Sequence, residues 1–266
     1  MRSHGSPLSA TGRNSAAPLL SARVARIVGS RIVKGRWPAG TVLPNEAALS
    51  LEFGVSRTAL REAIKLLAAN GLVDVRRKTG TRVLPRTRWN VLDPNVLEWH
   101  FSGSGIPAGM EDLLELRRIV EPVAARLAAS RHTGEDLLNI QSAYEGMRRA
   151  TQRAEDSIAP DLEFHLSILD ATHNLFLRPF GALIRTALTA SFRLTNADLA
   201  AFRRSLPHHQ SVLAAIRSRR PDAAERAMRT LLAATSRDVR AVIHGPVSRP
   251  LATRVKIRRK GRSSHA

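Results

Sequence analysis

The alternation of apolar and polar residues divides the chain into a short mixed module and a long helical one. From Leu20, apolar residues recur at Val24, Ile27, Val28 and Ile32, the spacing of one buried helix face, and Gly35 stands where that helix would stop. The stretch "RWPAGTVLP" reads as a turn and a short extended piece, after which Asn45 can cap a second helix over Glu46 to Phe53 that Gly54 breaks. Ser56 can cap a third helix, in which Leu60, Ala63, Ile64 and Leu67 follow i, i+3, i+4, i+7 and leave Arg57, Arg61 and Lys65 on another face. It ends at Asn70-Gly71. Two short β runs follow, Leu72–Val75 and Thr81–Leu84, joined by the cationic tip Arg76-Arg77-Lys78 and by Gly80, which permits an unusual backbone turn. Helix, helix, glycine turn, helix and β-hairpin in that order predict a winged helix-turn-helix.

Residues 86–109, "RTRWNVLDPNVLEWHFSGSGIPAG", read as a linker whose tryptophans, Trp89 and Trp99, serve either as struts between domains or as ordinary core. Beyond it the helical period recurs over about 110–130, 133–152, 159–173, 175–194, 198–219 and 221–243 with no strand-like stretch between, which predicts an antiparallel bundle. The expected fold is therefore mainly α, with a winged helix-turn-helix over 19–85 and an all-α bundle over 110–244. The Ser-, Gly-, Ala- and Pro-rich residues 1–18 read as a disordered arm, and residues 245–266 as a disordered basic tail.

Charge changes this picture more than composition does. Residues 1–88 hold 16 Lys+Arg against 4 Asp+Glu, a balance of +12; residues 89–244 hold 19 against 18, and residues 245–266 hold 7 against none. A positive field concentrated on one module suits a polyphosphate partner, because each neutralised phosphate releases condensed counterions. The chain has no cysteine, which excludes disulfides, thiolate metal sites and cysteine nucleophiles. No window approaches the roughly 20 apolar residues of a membrane helix, and the N-terminus lacks an apolar signal core, so a soluble cytoplasmic protein without a membrane partner is expected.

In a helix-turn-helix, the N-terminal part of the second helix enters the major groove, where arginine pairs bidentately with guanine or clamps phosphate. Arg57, Thr58 and Arg61 occupy that end. Ser56 and the helix N-terminus can hold a phosphate, while Arg77 and Lys78 of the wing can reach the neighbouring backbone or minor groove. An isolated charged stripe is usually a solvated face. Here turn, cap, wing and local charge agree, and double-stranded DNA is the expected partner.

The bundle carries a second constellation. Leu113, Arg117, Val120, Ala124 and Leu127 share one stripe, so Arg117 points along an apolar face, and a buried guanidinium costs several kcal/mol unless paired. Either an internal carboxylate such as Glu121 or Glu163 satisfies it, or the acid of a ligand does; we favour the ligand. Asp161 and His165 lie at i, i+4 on one face, a spacing that lets both meet one metal ion. His209 shares a stripe with Val212, Leu213 and Ile216, whereas His208 points elsewhere. A lone core histidine is more often satisfied by a hydrogen bond than by a metal.

The stretch "LPNEAALSLEFGVSRTALREAIKLLAANGLVDVRRKTGTRV" resembles the GntR family of bacterial regulators, through L-P-x-E, S-R-x-x-[LV]-R-E-A, G-L-V and G-T. The helical second half resembles the FCD ligand-binding domain of the fatty-acid-regulator-like subfamily. The resemblance implies a homodimer that binds a short palindromic operator and releases it on binding a small carboxylate. It carries Arg57, Thr58, Arg61 and the wing over as DNA contacts, Arg117 as an effector contact, and Asp161, His165 and His209 as three of four metal ligands, zinc being one candidate ion. Two positions depart from the pattern: Ala47 stands where many relatives have arginine, and Leu231 where the subfamily has its last histidine. With that fourth ligand missing, His165 and His209 can instead hydrogen-bond effector hydroxyls. A sugar acid such as an aldonate suits this, with Asn174 and Ser191 as further contacts. The expected function is transcriptional repression relieved by such an acid, not catalysis. The alternatives are a metal-dependent hydrolase built on Asp161, His165 and His209, and a non-specific architectural DNA-binding protein.

Overall fold

The computed structural model describes residues 16–101, 109–150, 153–194 and 199–244. Among these are ten α-helices and one two-stranded sheet. The first module is built from α1 (Ala16–Val33), α2 (Glu46–Phe53) and α3 (Arg57–Ala69), followed by the antiparallel strands β1 (Val73–Arg76) and β2 (Gly80–Val83). The starts of α2 and α3 are those read from sequence. Asn45 Oδ1 accepts from the Ala48 N–H at 2.9 Å, and Ser56 Oγ from the Ala59 N–H at 3.2 Å, each filling one of the donors that a helix N-terminus leaves unpaired. Gly54 ends α2 at φ +63°, a left-handed conformation that favours glycine.

The hairpin pairs Val73 with Val83 and Arg76 with Gly80, one residue away from the expected strand limits. Leu72 drops out of β1 because its N–H bonds to Leu67 O at 3.0 Å and closes the end of α3. Thr41 and Leu43 lengthen the sheet on its other side, with Leu43 N–H donating to Thr81 O and Val83 N–H to Thr41 O. Val24, Val28, Ile32, Leu49, Leu60, Leu67 and Leu72 form the buried core.

Two boundaries need correction. Helix α1 begins at Ala16, inside the expected arm, while residues 1–15 and the expected tail, 245–266, lie outside the described residues. The stretch 86–109 is not a plain linker either: a 3-10 turn at Arg86–Arg88 leads into α4 (Pro94–Phe101). Asp93 Oδ1 caps this helix by accepting from the Asn95 and Val96 N–H groups, and Pro94 fills the first position, where no donor is needed. Helix α4 earns its stability from both sides. Val96 and Trp99 sink into the first core, while Leu97 and Phe101 join Met110, Leu113, Leu183 and Val239 of the bundle. Of the two tryptophans, Trp99 is fully buried, and the half-buried Trp89 donates its indole N–H to Leu84 O.

The six-membered ring of Trp99 packs against Gly29 of α1, where an added Cβ would come within 2.4 Å of it. On helix propensity alone Gly29→Ala would stabilise by about 1 kcal/mol. Overpacking a core costs about 1–3 kcal/mol, so the clash sets the sign. A lower unfolding temperature for Gly29→Ala is expected in a thermal melt, and a rise would show that the Trp99 contact yields freely.

The second module comprises α5 (Met110–Arg131), α6 (Gly134–Arg149), α7 (Ile158–Asp170), α8 (Phe180–Leu194), α9 (Leu199–Arg217) and α10 (Pro221–His244). Helix α5 is its centre and packs on α7, α8, α9 and α10. Ala124, Ala125, Ala128 and Ala129 are all buried along it and let those neighbours approach closely. Thr133 and Asp136 form a reciprocal capping box that starts α6. Helix α8 starts at Phe180 rather than near 175, because Asn174 Oδ1 turns to accept from the Phe176 N–H and holds the preceding segment as a turn.

Candidate functional site

The basic face of the first module is built around the start of α3. Arg57 and Thr58 are exposed in its first turn, and Arg57 has no hydrogen-bond or ion-pair partner among the described residues. Ser56 spends an oxygen lone pair on its cap, which leaves its hydroxyl proton available to a phosphate. Arg61, one turn on, is held by Glu46 of α2 with Nε 2.9 Å from Oε2, and Lys65 pairs with Glu62. The stripe is thus graded, with a free cation at the tip and tethered ones behind it. On the wing Arg76 pairs with Asp74, whereas Arg77 and Lys78 are exposed and have no partner among the described residues. Lys78 sits at the hairpin tip with φ +70°, a conformation costing a lysine about 1–3 kcal/mol.

The second constellation closes around a cavity of about 90 Å³ in the bundle. Arg117 comes from α5, Asp161 and His165 from α7, His209 from α9, and Thr235 and Asp238 from α10. Both answers to the buried guanidinium hold in part. Glu121, one turn along α5, accepts from Arg117 Nε at 2.5 Å and from Nη2 at 3.4 Å, while Arg117 Nη1 is buried and unpartnered at the cavity. Glu163, the other internal candidate, is exposed and lies outside the cavity lining. Burial by itself raises the Glu121 carboxyl, but the charges of Arg117 and His165 outweigh it and hold the group down at about 2.

Glu121 also reaches the metal-type cluster, since its Oε2 lies 2.5 Å from His165 Nδ1. His209 Nδ1 lies 2.9 Å from Ser205 O, which can only accept, so Nδ1 carries the proton there. Each ring therefore turns Nε2 toward Asp161 Oδ1, at 3.6 Å from His165 and 3.0 Å from His209. Asp161 Oδ1 and His209 Nε2 are both buried without a hydrogen-bond partner. Two imidazole lone pairs facing a carboxylate oxygen call for a positive charge between them, either a proton or a metal ion. Burial raises the Asp161 carboxyl, and His209, His165 and Arg117 more than reverse that, so it is held below the ordinary carboxylate range. Donors around zinc stand roughly 3.4 Å apart for Zn–N bonds of about 2.0–2.1 Å, so this triad fits such an ion.

The structure thus brings Arg117, Asp161, His165 and His209 together, with Ser191 also on the cavity wall. His208 is not part of the lining. Asn174 is not brought there: it lies beside Asp136, Asp170 and His173, with its side chain spent on the Phe176 N–H. Leu231 is buried in the core one turn before Thr235, so no fourth histidine-like donor occupies its place. Sequence reasoning missed Ser205, Thr235 and Asp238. The first stands four residues before His209, and the others three apart on α10, spacings that place them on shared helix faces but do not say which face meets a cavity.

A winged helix-turn-helix with a free arginine at its recognition end, joined to a helical domain with a polar cavity, is the arrangement of a DNA-binding regulator. Residues 20–83 match the family of bacterial regulatory proteins named gntR, and residues 112–234 match the FCD domain. The Galactonate operon transcriptional repressor of Escherichia coli K12 is 35% identical over 221 residues, covering 83% of this chain and 96% of that protein. The HTH-type transcriptional regulator YieP of the same organism is 35% identical over 215 residues, covering 80% and 92%. Among solved structures, that of Lar, which controls the Listeria monocytogenes agr system, superposes with a TM-score of 0.59 at 18% identity, covering 83% of this chain and 96% of that one. The chain belongs to the GntR family of bacterial regulatory proteins and carries an FCD domain; it is a transcription regulator, not an enzyme. No helix among the described residues is long and apolar enough to cross a membrane.

Proposed function

We propose that this chain is a cytoplasmic, homodimeric repressor that leaves its operator when a small sugar acid binds the Arg117 cavity. The observation that carries this reading is Arg117 Nη1, a buried cationic donor without a partner at a cavity that also holds Asp161, His165 and His209. Such a donor is costly unless something completes it, and an incoming carboxylate is the chemical group that does so best. A relative named for the galactonate operon supports an aldonate as the acid. Ser56, Arg57, Thr58, Arg61, Arg77 and Lys78 are the DNA contacts in this reading. The effector and DNA are coupled through the bundle: an acid that prefers one arrangement of the paired domains lowers operator affinity by the factor by which DNA lowers its own.

The triad's unpartnered Asp161 Oδ1 and His209 Nε2 favour a second component, a divalent metal ion held by Asp161, His165 and His209. Such an ion would offer its remaining coordination positions to effector oxygens. Thermal unfolding of the purified protein with D-galactonate, with and without a chelator, tests both parts. An upward shift is expected with the acid and none for Arg117→Ala; an equal shift in that variant would sink the pocket assignment. A shift that survives chelation unchanged would remove the metal and leave the histidines bonding the acid directly.

A further inference from the structure

One face of α5, the central helix of the bundle, is left uncovered among the described residues. Asp112, Leu116, Ile119, Val123, Arg126 and Ser130 succeed one another at spacings of four and three, the repeat of a helix-to-helix seam, and lie opposite the buried Arg117 and Glu121. Ile119 is 61% exposed and Val123 44%, and the half-buried Leu116 and Leu127 border them. No other bundle helix exposes two large apolar side chains among the described residues. The charges on this face are sorted along it. Asp112 and Glu115, near the start of α5, are exposed and have no hydrogen-bond or ion-pair partner among the described residues. Arg126, near its end, meets Asp222 and Glu225 of α10 through Nη1 alone, which leaves Nε and Nη2 for a further acid.

We infer that this face is where a second copy of the chain docks, α5 against α5 in antiparallel register about a two-fold axis, with Ile119 of each copy on Val123 of the other. The inference rests on the homodimer reading above and names the surface that reading leaves open. Such an axis reverses the stripe on itself: the apolar pair meets the apolar pair, and Asp112 and Glu115 of one copy approach Arg126 of the other. A parallel pairing would instead set acid on acid and arginine on arginine. Burial of Leu116, Ile119, Val123 and Leu127 supplies the affinity, and the sorted charges set the orientation. Arg117 lies on the other side of the same helix, so a ligand that moves α5 also moves the axis that relates the two recognition helices.

Sedimentation velocity of the full chain at micromolar concentration, without DNA or acid, tests this. The wild type is expected to be dimeric, and Val123→Glu and Ile119→Lys, each of which puts a charge into the apolar seam, should each raise the dimer dissociation constant by about tenfold or more. Mixing the two variants should restore dimers, because the new carboxylate then faces the new ammonium at one contact while native Ile119 faces native Val123 at the other. A chain that had merely misfolded would not be rescued in this way. The chain has no cysteine of its own, so Ile119→Cys mixed with Val123→Cys gives a second measurement: mild oxidation should cross-link the mixture faster than either variant alone. A dimer untouched by both Val123→Glu and Ile119→Lys would overturn the inference, as would a mixture that fails to associate or to cross-link preferentially, while the homodimer reading would stand. A wild type that stays monomeric throughout the micromolar range would overturn that reading and this inference together.

Discussion

Replacing Glu121 with glutamine lowers the thermal unfolding midpoint by roughly 10 °C. Glu121 is fully buried and serves both Arg117 and His165, accepting two bonds from the guanidinium and lying 2.5 Å from His165 Nδ1. Breaking a buried pair by removing one partner costs about 3–5 kcal/mol, because the remaining charge stays out of water uncompensated. The isosteric change isolates charge from volume. Replacing both partners, Arg117→Met with Glu121→Leu, should restore most of the loss, since apolar groups leave no stranded charge, yet that protein should have no response to acid. The effect also has a pH signature. The folded Glu121 carboxyl stands at about 2 against an ordinary 4.5, so its contribution is complete above the ordinary value and fades as pH falls toward 2. Melts of wild type and Glu121→Gln should converge over that window. A gap that is constant from neutral pH to pH 2 would show that the glutamine acts through packing alone.

Arg57→Ala should lower affinity for the cognate operator by about 10- to 100-fold, the value of one good bidentate contact to guanine, and narrow the gap between cognate and scrambled DNA. Arg57 is chosen over Arg61 because it has no partner to leave, whereas Arg61 is bridged to Glu46 and must exchange that contact for DNA. Arg77→Ala on the wing should behave differently. It should weaken cognate and scrambled duplexes alike and reduce the salt slope of binding by about one counterion, as loss of a phosphate contact does. Fluorescence anisotropy on a palindrome selected from random DNA, at several salt concentrations, separates the two behaviours. If Arg57→Ala reduced both duplexes equally, the arginine would be a phosphate contact and base reading would lie elsewhere on α3.

The winged module was legible in sequence because its signals are local. Asn45, Ser56 and Gly54 act within three or four residues of themselves, and the α3 apolar stripe needs only its own period. Helix α4 was read as linker although Asp93-Pro94 is a cap followed by a first-turn proline, since eight residues are too few to show a period and Trp99 finds its core across the module boundary. In the bundle, spacing identified Arg117, Asp161, His165 and His209 as inward residues. It could not tell that Glu121 would serve both Arg117 and His165, because that depends on how α5 and α7 cross. Asn174 failed for the opposite reason: a local bond to the Phe176 N–H took the side chain before any tertiary contact could. Thr235 and Asp238 were silent in sequence because α10 has polar residues on several faces, and only packing shows which of them meets the cavity.

The central claim is that the Arg117 cavity and the Arg57 face are coupled, and operator release measures it most directly. Operator-bound protein should lose labelled operator as D-galactonate is added, with the half-effect tracking the calorimetric affinity for the acid, while Arg117→Ala binds the operator normally and does not release it. Operator affinity that stays constant at an acid concentration saturating the cavity would contradict the account, because the site would then be a binding pocket without influence on DNA.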